Sequence, residues 1–185
     1  MKTQFISNYP YKHIIISNFL SDKKAKELLR ALKKEKFEEK DSDLFQFRQT
    51  QELKYSKNKT IREFYRFFGS REFLNSIGKI MGKKLRKSDM AGTLYIDTDY
   101  LLCHDDRLEG RKIAYVYYLS EDFKEKDGGA FVLFDSKNKK VTKAAKKYYP
   151  KWNSLLLFEV SKKSWHEVEE VVGNKKRYAI GGWFH

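Results

Sequence analysis

The segment that decides the fold runs from Tyr95 to Asp106 and reads Tyr-Ile-Asp-Thr-Asp-Tyr-Leu-Leu-Cys-His-Asp-Asp. If Tyr100–His104 is the end of a strand, side-chain alternation places His104 and Asp106, two residues apart, on one face. One imidazole and one carboxylate aimed at one point are two thirds of the 2-His-1-carboxylate set that holds Fe(II) with open positions. A His-x-Asp pair alone is weak support, because both residues are common in loops.

A third protein ligand has to come from elsewhere in the chain, which contains four histidines. His13 lies in an apolar N-terminal segment and His185 is the terminal residue, so His166 is the candidate. Arg177 follows it, one predicted strand later. An arginine inside an apolar strand is costly to bury without an anion, which predicts a bound acid beside it. The alternative, that His166 is an ordinary core or surface histidine, stays open.

Four motifs, taken in order, resemble the iron- and 2-oxoglutarate-dependent dioxygenases, specifically their prolyl hydroxylase branch. The motifs are Tyr100–Asp106, Tyr117–Leu119, Asp127–Phe134 and Arg177–Trp183. Within that branch they look most like the catalytic domain of the group that hydroxylates a proline in a small-subunit ribosomal protein. The resemblance covers Thr93–His185 and extends over the N-terminal half.

The resemblance implies a peptidyl prolyl hydroxylase that uses Fe(II) and 2-oxoglutarate, with ascorbate as a further candidate cofactor. The implied metal ligands are His104, Asp106 and His166. Arg177 would bind the far carboxylate of 2-oxoglutarate, which suits the forked guanidinium. Tyr118 resembles the family tyrosine that hydrogen-bonds the same carboxylate, and Tyr95 resembles another that lines the pocket. Tyrosines in strands are also ordinary core residues, so that reading stays open for both.

The order of the predicted elements points to a fold class. Apolar residues at helical spacing predict three helices before about Gly82, the first capped by Ser21. From about Met90, short segments separated by Gly, Asp and Asn predict strands. We therefore expect an α+β, mainly β fold, a double-stranded β-helix (jelly roll) buttressed by N-terminal helices. Residues 1–185 would form a single domain, with residues 1–89 as the helical buttress and first strands and residues 90–185 as the catalytic core.

The formal net charge of +14 arises from 39 basic and 25 acidic residues. Such an excess favours a polyanionic neighbour or a ribosome-bound substrate, although a lysine-rich solvated surface explains it equally well. Lys137–Lys147 contains six lysines and no acid. We expect a loop there that overhangs the mouth of the barrel. It either is solvated or contacts RNA or an acidic surface.

The remaining composition bears on where the protein works. A single cysteine excludes an internal disulfide and fits a reducing compartment. No apolar run approaches the length of a membrane span, and the first residues lack the apolar core of a signal peptide. We expect a cytoplasmic enzyme that acts on a protein or peptide substrate without contacting a membrane.

Two alternative functions share the same scaffold. The first is hydroxylation of a free amino acid or small metabolite. The second is oxidative demethylation of nucleic acid, which the positive charge suggests. The family of such demethylases has a second arginine six residues beyond the first, whereas this chain has Trp183 there. A non-catalytic binding module is disfavoured, because all three ligand candidates and the arginine are present.

Overall fold

The computed structural model describes residues 5–137 and 140–185. Within those ranges the α-helices are α1 (Asp22–Leu32), α2 (Lys59–Phe68) and α3 (Arg71–Met81), and 3-10 helices span Leu53–Tyr55 and Glu125–Asp127. The predicted cap is confirmed, since the Ser21 side chain accepts a hydrogen bond from the Lys24 amide. None of the helices in the described ranges has both the length and the apolar character that a membrane span requires.

Twelve antiparallel strands of the described ranges form one curled sheet. The strands are β1 (Phe5–Ser7), β2 (His13–Ile16), β3 (Phe37–Ser42), β4 (Phe45–Thr50), β5 (Ala91–Tyr95), β6 (Tyr100–His104), β7 (Ile113–Tyr118), β8 (Phe131–Lys137), β9 (Lys140–Tyr148), β10 (Ser154–Glu159), β11 (His166–Val168) and β12 (Arg177–Phe184). Their order is β1-β2-β10-β7-β12-β5-β4-β6-β11-β8-β9, and β3 pairs with β4. The sheet curls back on itself, because His13 Nε2 on β2 lies 2.7 Å from the Tyr148 hydroxyl on β9.

Two apolar layers lie on opposite faces of the strands at the centre of the sheet. The helices pack on the outer face, where Phe68 is fully buried against Tyr115 and Phe184. Burying a side chain of this size contributes about 1.5–3 kcal/mol. Because successive strand residues face opposite sides, Tyr117 joins the helix-side layer and Tyr118 faces the interior of the curl. Strand alternation therefore delivers Tyr118 to the interior.

The prediction of a loop over Lys137–Lys147 is wrong for the described part of that segment. Lys140–Tyr148 forms β9, which pairs with β8 as a hairpin at the edge of the sheet. Lys139 lies outside the described residues. An edge strand with exposed lysines is soluble and resists pairing with other chains, so the same lysine-rich composition suits a strand as well as a loop.

Candidate active site

The two histidines of the predicted metal set lie opposite each other on paired strands. β11 begins at His166, β6 ends at His104, and the two residues are directly paired across the antiparallel ladder. Their ring centroids are 4.2 Å apart. Phe131 and Phe158 contact the His166 ring at centroid distances of 5.0 and 4.7 Å, so apolar rings fix its position. Strand pairing thus presents two imidazoles to one point.

Asp106 completes the group from the loop that follows β6. Its two carboxylate oxygens each lie 3.4 Å from an imidazole nitrogen, one from His104 Nε2 and the other from His166 Nε2. The Asp106 backbone is left-handed, with φ of 59°, a conformation that aspartate adopts more readily than most residues. Because β6 ends at His104, this turn rather than strand alternation aims the carboxylate at the histidines.

Hydrogen bonds on the far side of each ring leave the inward nitrogens available. His104 Nδ1 lies 2.8 Å from the Leu102 carbonyl, and His166 Nδ1 lies 2.7 Å from the Ser164 carbonyl. A carbonyl can only accept, so each Nδ1 carries a proton and donates. Each Nε2 therefore faces the Asp106 carboxylate, which requires a proton or a metal ion between them.

The electrostatics and the donor set fit a divalent metal. Burial tends to raise the pKa of Asp106, but hydrogen bonds with the two imidazoles outweigh it and hold that pKa well below its usual range. The three donor groups lie within 4.8 Å of one another. Two imidazoles and one carboxylate are typical of non-haem Fe(II) centres. The residues present therefore fit Fe(II).

Arg177 is buried at the start of β12, between two tyrosine rings. Its guanidinium carbon lies 4.9 Å from the Tyr95 ring centroid and 5.2 Å from that of Tyr118. Among the described residues, neither Arg177 Nη2 nor the Tyr118 hydroxyl has a hydrogen-bond partner. Burial raises the pKa of Tyr118 to about 12, so its hydroxyl keeps its proton. A buried cation beside a buried donor fits the far carboxylate of 2-oxoglutarate.

Two glycines shape the backbone against which Arg177 rests. The Gly129 carbonyl accepts a 2.9 Å hydrogen bond from Arg177 Nε. Gly128 and Gly129 have positive φ values of 64° and 62°. A Cβ added to Gly129 would lie 2.9 Å from the Val171 side chain and 3.1 Å from Arg177 Cδ. Glycine at this position therefore allows the carbonyl to hold Nε while Nη2 stays free.

A cavity of about 540 Å³ opens over the metal-ligand cluster and Arg177. Of the residues predicted for the site, the cavity is lined by His104, Asp106, His166, Arg177 and Tyr95. Tyr118 reaches the group through its contact with Arg177. Strand β4 also borders the cavity, to which it contributes Phe45 and Phe47. No described residue of Lys137–Lys147 lines the cavity, so the expectation that this segment overhangs the mouth of the barrel is wrong.

Arg111 is a cavity residue that sequence analysis missed. Its guanidinium carbon lies 3.3 Å from the centroid of the Trp183 ring, and its Nη1 lies 3.7 Å from an Asp106 oxygen. It sits between β6 and β7, where no periodic pattern marks its direction. The signal available was an arginine two residues before an apolar strand, which is too common to identify a site residue.

Comparisons with known proteins match the C-terminal half of the chain to a family and nearly the full chain to curated relatives. The family described as the 2OG-Fe(II) oxygenase superfamily matches residues 90–185. The chain is 36% identical to prolyl 3-hydroxylase OGFOD1 of Xenopus laevis, over 97% of this chain and 36% of that protein. It is 32% identical to prolyl 3,4-dihydroxylase OGFOD1 of Ostreococcus tauri, over 95% of this chain and 38% of that protein. The chain thus spans little more than a third of the length of these curated relatives.

Solved structures with similar folds include two prolyl hydroxylases. A Pseudomonas putida prolyl-4-hydroxylase has a TM-score of 0.74 at 18% identity, over 94% of this chain and 91% of that one. A Trichoplax adhaerens prolyl hydroxylase, in complex with a hypoxia inducible factor peptide fragment, has a TM-score of 0.73 at 21% identity, over 93% and 82%. At these identities the likeness shows the fold alone. It confirms the predicted mainly β jelly roll with helices packed outside.

Proposed function

We propose a function from one premise, which is that the chain belongs to the 2OG-Fe(II) oxygenase superfamily. The chain acts as an Fe(II)- and 2-oxoglutarate-dependent hydroxylase, and its substrate is a proline in a protein or peptide, with a ribosomal protein as the preferred target. The observation that carries the proposal is the His104-Asp106-His166 cluster in one cavity with the buried Arg177, whose Nη2 lacks a partner among the described residues.

Three observations support a protein or peptide substrate. The relatives from Xenopus laevis and Ostreococcus tauri are named prolyl hydroxylases, and the Trichoplax adhaerens structure holds a peptide fragment. The cavity is bordered by β4, whose aromatic side chains Phe45 and Phe47 offer an apolar wall to a proline ring. The ribosomal target rests on the resemblance of the motifs and on the net charge of +14.

Each site residue has a defined task in this proposal. His104 and His166 hold Fe(II) through Nε2, and Asp106 holds it through its carboxylate. Arg177 and Tyr118 bind the far carboxylate of 2-oxoglutarate, while the Tyr95 ring packs against the guanidinium. When bound, Fe(II) and 2-oxoglutarate supply the oxidation, in which O2 gives one oxygen atom to a substrate C–H bond and one to succinate, with release of CO2. The chain's own residues orient the reactants and exclude water.

The remaining expectations are kept as proposals. Residues 90–185 act as the catalytic core, and residues 1–89 buttress it through contacts such as Leu28 and Phe68 in the helix-side layer. Ascorbate remains a candidate cofactor and the cytoplasm the expected compartment. Contact of Lys137–Lys147 with RNA would involve the edge strand β9, which contains the described lysines from Lys140 onward, and it is the alternative to the RNA surface inferred below.

Mass spectrometry of ribosomal proteins incubated with the enzyme, Fe(II) and 2-oxoglutarate tests the proposal. We expect one added oxygen atom on a proline with the wild type and with Asp105→Ala, and none with Asp106→Ala. Asp105 is a matched control, because its carboxylate bonds to Arg107 Nε at 2.6 Å instead of facing the histidines. Hydroxylation of a free amino acid without any protein product would move the assignment to a metabolite hydroxylase. Loss of methyl groups from nucleic acid would move it to a demethylase.

A further inference from the structure

A group of cations, here called the basic flank, lies beside the mouth of the cavity. Its members have exposed or half-buried side chains. Lys79 lies in α3, the next four follow α3, and the last precedes β7: Lys83, Lys84, Arg86, Lys87 and Lys112. Lys112 Nζ donates to the Lys84 carbonyl at 2.7 Å. The Lys112 amide donates to the Phe184 carbonyl. The amide of His185, which follows Phe184 in the chain, donates to the Lys87 carbonyl. Segments distant in sequence therefore form one surface.

The basic flank continues directly into the cavity. Asp89 lies two residues after Lys87, lines the cavity and accepts a 2.7 Å hydrogen bond from the Trp183 amide. Arg111, next to Lys112 in the chain, lines the same wall. No described lysine of β9 lines the cavity. A partner bound to the flank would therefore lie next to a substrate held over the metal ligands.

Most of the charge on the flank is not neutralised. Lys83 forms an ion pair with Glu159. Within residues 5–137 and 140–185, the other five cations have no carboxylate within 4.0 Å. Like charges held together on one surface raise the local potential and attract a polyanion. The surface is therefore suited to a partner that carries several negative charges in a row.

The side-chain chemistry of the basic flank favours nucleic acid over a protein as the partner. Five of the six cations are lysines, which bind phosphates as point charges. No large apolar side chain between Lys79 and Lys87 is exposed. Protein interfaces need an apolar or aromatic core, while nucleic-acid interfaces are more polar and positively charged.

We infer that the basic flank binds the phosphate backbone of RNA beside the substrate cavity. The choice of RNA rests on the proposed function, because a ribosomal target presents RNA next to the protein that is modified. RNA bound there places the enzyme on its target with the cavity facing the adjoining protein. The flank therefore determines where the enzyme docks, and the cavity determines which residue is oxidised.

Binding of a fluorescent single-stranded RNA of about 20 nucleotides, followed by anisotropy at several salt concentrations, tests the inference. Each phosphate contact adds about 0.7 to the slope of log affinity against log salt for single strands. A variant with Lys79, Lys84, Arg86 and Lys87 changed to Gln should lower that slope by about 3. The matched control changes four described lysines of β9 to Gln, namely Lys140, Lys143, Lys146 and Lys147. It has the same net charge, and its slope and affinity should stay near those of the wild type.

Several results would overturn the inference. Equal weakening in both variants would show that net charge alone attracts RNA, and unchanged binding in the flank variant would exclude the flank. Binding of polyglutamate without binding of RNA would assign the flank to an acidic protein. If the flank variant does not fold, lysine acetylation of the wild type with and without RNA tests the inference instead. RNA should protect Lys84 and Lys87 but not Lys140 and Lys143, and the reverse pattern would contradict the flank.

The outcome of the RNA-binding experiment does not depend on whether the proposed function is correct. It needs neither Fe(II) nor 2-oxoglutarate, so absence of RNA binding leaves the hydroxylase proposal standing. Conversely, the flank variant should hydroxylate a short proline peptide at the wild-type rate, because none of its four substituted residues lines the cavity. RNA binding without hydroxylation of any peptide or protein would support RNA binding by the basic flank and contradict the proposed prolyl hydroxylase function.

Discussion

Replacement of Arg177 by alanine should remove most of the affinity for 2-oxoglutarate. Arg177 is 1% exposed, and among the described residues its Nη2 has no partner. Loss of one partner from a buried ion pair costs about 3–5 kcal/mol. That cost corresponds to a loss of affinity of roughly a hundredfold to a few thousandfold. Arg177→Lys keeps the charge but loses the fork and the Gly129 contact, so it should lie between the wild type and Arg177→Ala.

Isothermal titration of 2-oxoglutarate into Mn(II)-loaded protein measures this loss without turnover. The affinity for Mn(II) itself should be unchanged in Arg177→Ala, because the described contacts of the arginine are with Gly129, Tyr95 and Tyr118 and not with the metal ligands. A 2-oxoglutarate affinity within about threefold of the wild type would refute the assignment, since the smallest expected cost corresponds to roughly a hundredfold.

Three further substitutions test the rest of the site. Asp106→Ala should abolish tight Mn(II) binding in a calorimetric titration, whereas Asp105→Ala should retain it; tight binding by Asp106→Ala would mean that the carboxylate facing the histidines is not a ligand. Tyr118→Phe should weaken the binding of 2-oxoglutarate by roughly two- to tenfold, because one hydrogen bond contributes about 0.5–1.5 kcal/mol. An unchanged dissociation constant would show that the hydroxyl does not contact 2-oxoglutarate. Gly129→Ala combines a positive φ with a 2.9 Å contact to the Val171 side chain. It should lower the free energy of unfolding by about 1–3 kcal/mol in urea denaturation, and full stability would show that the loop can move.

The sequence carried enough information to predict the helices and most strands, because their signals are local. The α2 stripe and the Ser21 cap depend on residues within a turn or two of each other, and the structure has both. The boundaries were less certain. α1 ends at Leu32, the last residue of its apolar stripe, and the chain then leaves the helix to form β3.

The parts that could not be predicted depend on contacts between distant segments. The approach of His104 to His166 is fixed by the register of β6 against β11, which no local pattern encodes. The left-handed turn at Asp106 and the stacking of Arg111 on Trp183 likewise depend on surrounding structure. β9 was missed because lysine-rich composition is shared by solvated loops and by exposed edge strands.

Anomalous diffraction from crystals grown with Mn(II) and 2-oxoglutarate tests the central claim most directly. We predict one anomalous peak at about 2.0–2.2 Å from His104 Nε2, His166 Nε2 and an Asp106 oxygen. We also predict density for a carboxylate in contact with Arg177 Nη2. A peak held by other residues, or 2-oxoglutarate bound away from Arg177, would contradict the account.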